Sequence, residues 1–113
     1  MKPFVRVVSM SLLLLLQPVH AAPATEAQLQ AIARMGELNG VALQCRFVDQ
    51  VRRIKQELIK RLPKQRALGA WFEQKTNAAF TDFINRGDRC PGLLEFEKDL
   101  EQAVARLDEA FSP

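Results

Sequence analysis

Two thiols, Cys45 and Cys90, are the most chemically distinctive side chains in this sequence. A lone cysteine pair can form a disulfide, share a metal or cycle as a redox couple. No Cys-x-x-Cys spacing is present, and two thiolates cannot complete a tetrahedral zinc site without histidine. In an oxidising compartment the pair reads as one structural bridge. Closing so long a loop stabilises a fold by roughly 4 kcal/mol on chain-entropy reasoning, comparable with the whole stability of a small domain.

The remaining reagents are few. His20 is the only histidine, and there is no tyrosine. If His20 is lost with a leader, neither a Ser-His-Asp nor a Cys-His mechanism can be assembled, and imidazole ligation of zinc, copper or haem is excluded. Glu95 with Asp99, and Glu97 with Glu101, are acid pairs four residues apart on one acidic helix, not carboxylates facing across a cleft. No phosphate loop or metal motif occurs. Catalysis is not expected, and no cofactor or metal is implied.

Charge offers a binding surface instead. From Arg46 to Arg66 there are eight basic side chains against Asp49 and Glu57, whereas the final segment from Leu93 holds six acids against Lys98 and Arg106. Arg52, Arg53, Lys60, Lys64 and Arg66, with Trp71 nearby, form a candidate face for an anionic partner, whether lipid headgroup, polysaccharide, nucleic acid or acidic protein. The plainer reading is a solvated helix face, with Asp49–Arg53 and Glu57–Arg61 as i,i+4 pairs and the acidic helix packed alongside. Trp71 by the same logic covers the core rim.

Met1 to Arg6 carries Lys2 and Arg6, and Val7 to Leu16 is an apolar run too short to span a bilayer. Val19-His20-Ala21 supplies small residues at −3 and −1 of a secretory cleavage site. Residues 1–21 are therefore expected to be a cleaved signal peptide and residues 22–113 a single domain. No cysteine stands at the junction, so lipid anchoring is not expected. The formal charge of +3 falls to +1 once Lys2 and Arg6 are removed. That near balance gives no support to nucleic-acid binding.

Thr25 and Gln28 have capping-box spacing. Leu29, Ile32, Gly36, Gly40, Leu43, Phe47, Val51, Ile54, Leu58 and Leu62 then recur at steps of three and four, the period of a helix face, until Pro63. A single rod of this length would measure about 57 Å, so a break is expected, with Gly36–Gly40 as its place. Gly36 and Gly40 also permit a close helix crossing. A second helix is predicted from about Lys64 to Asn85, with Leu68, Phe72, Ala79 and Phe83 inward, Phe80 on a flank and Gly87 as its cap. Cys90-Pro91-Gly92 marks a turn before a third helix whose stripe is Leu93, Phe96, Leu100, Ala103, Leu107 and Phe111. Strand signals are absent. The expected fold is all-α, three to four helices in a small bundle with one long-range disulfide.

Leu38-Asn39-Gly40-Val41-Ala42-Leu43-Gln44-Cys45, then Pro63-Lys64, Phe72-Glu73, Ala79-Phe80 and Cys90-Pro91, resemble a pattern in short exported bacterial two-cysteine helical proteins of unassigned function. In layout the chain is similar to periplasmic acid-stress chaperones, to the helical pilotins of secretins, and to small disulfide-bonded immunity proteins. It lacks the lipid-attachment cysteine typical of pilotins. The resemblance implies a helical fold and an envelope address, and no activity.

The leading expectation is a non-enzymatic periplasmic or secreted module that binds another envelope or secreted protein, of adaptor, inhibitor or immunity type. Acid-stress chaperoning, in which low pH opens the bundle, is the alternative. Binding to an anionic lipid or polysaccharide surface is the further, less favoured one.

Overall fold

The computed structural model describes residue 3 and residues 22–113. The expected leader, with His20 and the cleavage point after Ala21, lies outside the described residues. Among those described, all regular structure is helical. Helix α1 spans Glu26–Gln44, α2 Val48–Arg61, α3 Arg66–Arg86 and α4 Leu93–Phe111.

The expected capping box starts α1. Gln28 N–H donates to Thr25 Oγ1 (3.1 Å), and Thr25 N–H donates back to Gln28 Oε1 (2.9 Å). The helix then runs unbroken through Gly36 and Gly40, contrary to the expected break there. The local penalty of each glycine is outweighed by what its missing Cβ allows. A Cβ on Gly40 would lie 2.7 Å from Thr76 O and 2.8 Å from Phe80 N, so α3 packs directly against the α1 backbone. The close crossing anticipated for these glycines is thus present, and inside the chain.

The break falls later, at Cys45-Arg46-Phe47. Phe47 N–H donates to Ala42 O (2.9 Å) and Arg46 N–H reaches toward Leu43 O (3.4 Å), the Schellman pattern. It requires Arg46 at φ 57, a left-handed conformation costing a non-glycine residue about 1–2 kcal/mol. At the end of α3 the same pattern recurs with Gly87 at φ 63, and Asp88 N–H donates to Phe83 O (3.0 Å). Pro63 ends α2 by forcing Leu62 into an extended conformation.

Helix α1 is the axis of the bundle. It packs against all three others; α2 also packs on α4, while α3 has no helix neighbour except α1. Accordingly α1 is buried on more than the single predicted face. Ala31, Met35, Leu38 and Ala42 make a second apolar stripe beside Ile32, Gly36 and Gly40. With Ile54, Phe96, Leu100 and Leu107 they form one core, in which each large side chain contributes about 1.5–3 kcal/mol by leaving water. The α4 stripe is as expected from Phe96 to Leu107, with Val104 added. Leu93, however, is 46% exposed at the first position of α4.

Cys45 and Cys90 form a disulfide with a Cα–Cα separation of 5.6 Å. It ties the α1–α2 turn to the loop between α3 and α4, joining the C-terminal ends of α1 and α3. No described helix is long and apolar enough to cross a membrane.

Candidate functional site

A helix with 3.6 residues per turn gives α2 three distinct sides. Ile54 and Leu58 point into the core. Toward α4, Arg53 pairs with Glu101 (2.6 Å), and Arg61 Nε donates to Asp108 Oδ1 (3.0 Å) while its guanidinium also bonds Glu57. The Glu57 carboxylate is only 12% exposed. Burial alone would push its carboxyl up. The Arg61 hydrogen bond and the charges of Arg61 and Lys60 outweigh that and hold it below the ordinary glutamate range. Burial likewise works against the Arg61 charge, but the hydrogen bonds it donates to Asp108 and Glu57, with the charges of both, reverse the sign and keep it protonated.

The basic residues singled out in the sequence therefore do not share one surface. Arg53 is committed to α4. Arg52 points to solvent with Asp49 3.8 Å away, in place of the expected Asp49–Arg53 pair, because Arg53 has the better partner in Glu101. Lys60 lies 3.5 Å from Glu57. Lys64 and Arg66 stand at the start of α3, exposed and without a carboxylate partner among the described residues. Trp71 is half-buried; its indole N–H donates to Leu29 O (2.8 Å) and Lys75 Nζ sits 4.4 Å over its ring. That pins Trp71 onto α1.

On its third side α2 faces α3 without close backbone contact, and Leu58, Leu68 and Phe72 are buried in the core beneath. The two helices diverge from the Leu62–Gln65 turn and leave an open groove of about 530 Å³. Its floor is Leu58, Leu68 and Phe72, three core residues seen from outside. Ile59, Leu62 and Pro63 form the wall, and Ile59 is 80% exposed. Lys55, Lys64 and Glu73 stand along its length. Such a surface offers apolar contact and positive charge; no thiol, hydroxyl or imidazole lines it.

Sequence reasoning found Lys64 but not Ile59, Lys55 or the groove itself. Ile59 breaks the polar outer face of α2 next to Leu58 and Leu62. That was the available signal, though a single exposed isoleucine is ordinary on protein surfaces. In the groove beside α1 and α3, Arg34 pairs with Glu37 and Arg86 with Asp82, while Lys75 and Asp88 carry no ion pair among the described residues. No described cluster of three or more His, Cys, Asp or Glu side chains is placed to hold a metal ion. Compared with protein-family models, curated proteins and solved structures, the chain matches none.

Proposed function

We propose that this chain is an exported, non-enzymatic helical module that binds another protein through the groove between α2 and α3. One observation carries the reading: α2 and α3 make no close backbone contact, and the groove between them presents Ile59, 80% exposed, beside Leu62 and Pro63 over the buried Leu58, Leu68 and Phe72. A helix pair left splayed in this way is the geometry of helix-in-groove recognition. Export rests on the basic leader, the leucine-rich run and Val19-His20-Ala21, and the Cys45–Cys90 disulfide is compatible with an oxidising compartment.

The test has two parts. Mass spectrometry of the exported protein should find it starting at Ala22 with both thiols oxidised; a reduced, full-length chain retained in the cytoplasm overturns the address. A photoreactive residue placed at Ile59 or Gly69 should give an adduct of defined mass in the producing cells, whereas Gln102 and Ala105 on the outer side of α4 should not. Equal adducts at both sets, or none, overturns the groove as the working surface.

Acid-stress chaperoning remains a second reading because two ion pairs, Arg53 with Glu101 and Arg61 with Asp108, tie α2 to α4, and interactions of this kind weaken in acid. It predicts lost near-UV dichroism and a dye-binding surface at about pH 2. Native packing retained there removes it.

A further inference from the structure

We infer that the occupant of this groove is an acidic amphipathic helix of a partner protein, an inference that rests on the binding reading above and adds the chemistry of what binds. Shape is the first argument. The groove is open along its length because nothing flanks α3 on that side, so it can cover one face of an elongated occupant. It cannot enclose the 70–90% of surface that a small molecule typically buries (about that range, by survey). Exposed Ile59 and half-buried Leu62 and Gln65, over a floor of buried Leu58, Leu68 and Phe72, suit anchors spaced i, i+3 or i+4, and i+7 on a helix.

Charge is the second argument, and it sets the sign. The chain neutralises its own cations where α2 meets α4: Arg53 with Glu101, Arg61 with Glu57 and Asp108. Lys55 and Lys64 at the groove, and Arg66 in the first turn of α3, have no such partner among the described residues, and Glu73 is the only acid in the lining. The first turn of α3 also has no acidic residue and no side-chain cap. Lys64 and Arg66 thus sit at the positive end of a helix dipole, where basic side chains are unfavourable. A carboxylate-rich occupant relieves this repulsion; a basic one adds to it.

The chain itself does not offer that occupant. Its acidic helix, α4, already buries its apolar stripe of Phe96, Leu100, Ala103 and Leu107 in the core. A bare phosphate-bearing surface would leave exposed Ile59 uncovered.

The experiment titrates the oxidised protein, followed by amide NMR, with two synthetic peptides of about 18 residues, five turns of helix. Both carry the same leucine stripe; one has glutamate and the other lysine on its flanks. The glutamate peptide should shift the signals of Ile59, Leu62, Leu68 and Gly69 and bind at least about tenfold more tightly than the lysine peptide. Lys64→Glu combined with Arg66→Glu should weaken the glutamate peptide by about tenfold while melting no lower than the parent, because both sites are exposed and the new acids suit the α3 N-terminus. Equal or tighter binding of the lysine peptide, or shifts confined to other surfaces, overturns the inference. So do groove signals that move on dilution of the protein alone, which indicate a second copy, or that respond to phosphatidylglycerol vesicles in place of peptide. If photo-adducts form at Ile59 and Gly69 but the glutamate peptide fails, the partner is not acidic and the binding reading stands; if neither occurs, both fall.

Discussion

Alanine at Gly40 adds one carbon where α1 crosses α3, and the surroundings of that carbon decide its sign. In an exposed helix interior the change stabilises by about 1 kcal/mol, because glycine is a poor helix former. At Gly40 the new Cβ would lie 2.7 Å from Thr76 O, 2.8 Å from Ala79 Cβ and 2.8 Å from Phe80 N. Two of these are backbone atoms, which cannot swing aside, so α3 as a whole must move out. Overpacking of this kind costs about 1–3 kcal/mol, and the upper end applies where backbone must shift. Net of the propensity gain, Gly40→Ala should lose about 2 kcal/mol, or roughly 8–16 °C in melting temperature for a domain of this size. Gly69, inside α3, provides the control: a Cβ there meets nothing within 4 Å, so Gly69→Ala should gain about 0.5–1 kcal/mol. Urea unfolding of the oxidised variants, followed by far-UV circular dichroism, measures both. If Gly40→Ala proves as stable as the parent, the direct backbone contact between α1 and α3 is refuted, and with it the reason α1 continues through its glycines.

Three further outcomes follow from the interior and its ties. Glu57 has a lowered pKa when folded, so its stabilising contribution is present above the ordinary value of 4.5 and is lost as pH falls through the lower folded value. Glu57→Gln should cost about 1 kcal/mol at pH 7 and flatten the fall in stability as pH drops below the ordinary value of 4.5, a loss that pH-dependent urea midpoints would show or deny. Replacing Cys45 and Cys90 together by serine should cost roughly 4 kcal/mol, and a reductant should lower the melting temperature of the parent but not of this variant. Asn39 is buried on α1, its Nδ2 donating to Thr76 Oγ1 (3.3 Å), with Oδ1 lacking a partner among the described residues. Thr76→Val alone should cost about 1–3 kcal/mol by orphaning the amide, while Thr76→Val with Asn39→Leu should recover most of it; a double-mutant cycle reads the difference.

Local signals carried most of the helix boundaries. Thr25 with Gln28, Pro63 and Gly87 each act through bonds or sterics within a few residues, so their effect is visible in sequence and was found where expected. The bridge was legible for a similar reason, since elimination of metal and redox roles leaves little else for Cys45 and Cys90. What escaped depends on contacts distant in the chain. The penalty at Gly36 and Gly40 is local, but the compensation comes from Thr76, Ala79 and Phe80 some forty residues on. The turn at Arg46 has no glycine to announce it and is held by the flanking core. The sequence allows the acidic helix alongside α2 but does not tell that Glu101 meets Arg53 and Asp108 meets Arg61. The groove was invisible because it is defined by a missing contact between α2 and α3, which no pattern within either helix encodes.

The central claim is that Ile59 and its neighbours serve a partner and not the fold. The most direct measurement combines stability with adduct formation in one variant: Ile59→Asp carrying the photoreactive residue at Gly69. Because Ile59 is 80% exposed, the unfolding midpoint should match that of the Gly69-labelled parent to within about 0.5 kcal/mol, while the partner adduct disappears. An adduct of undiminished yield in that variant, or a loss of several kcal/mol in stability, would contradict the account.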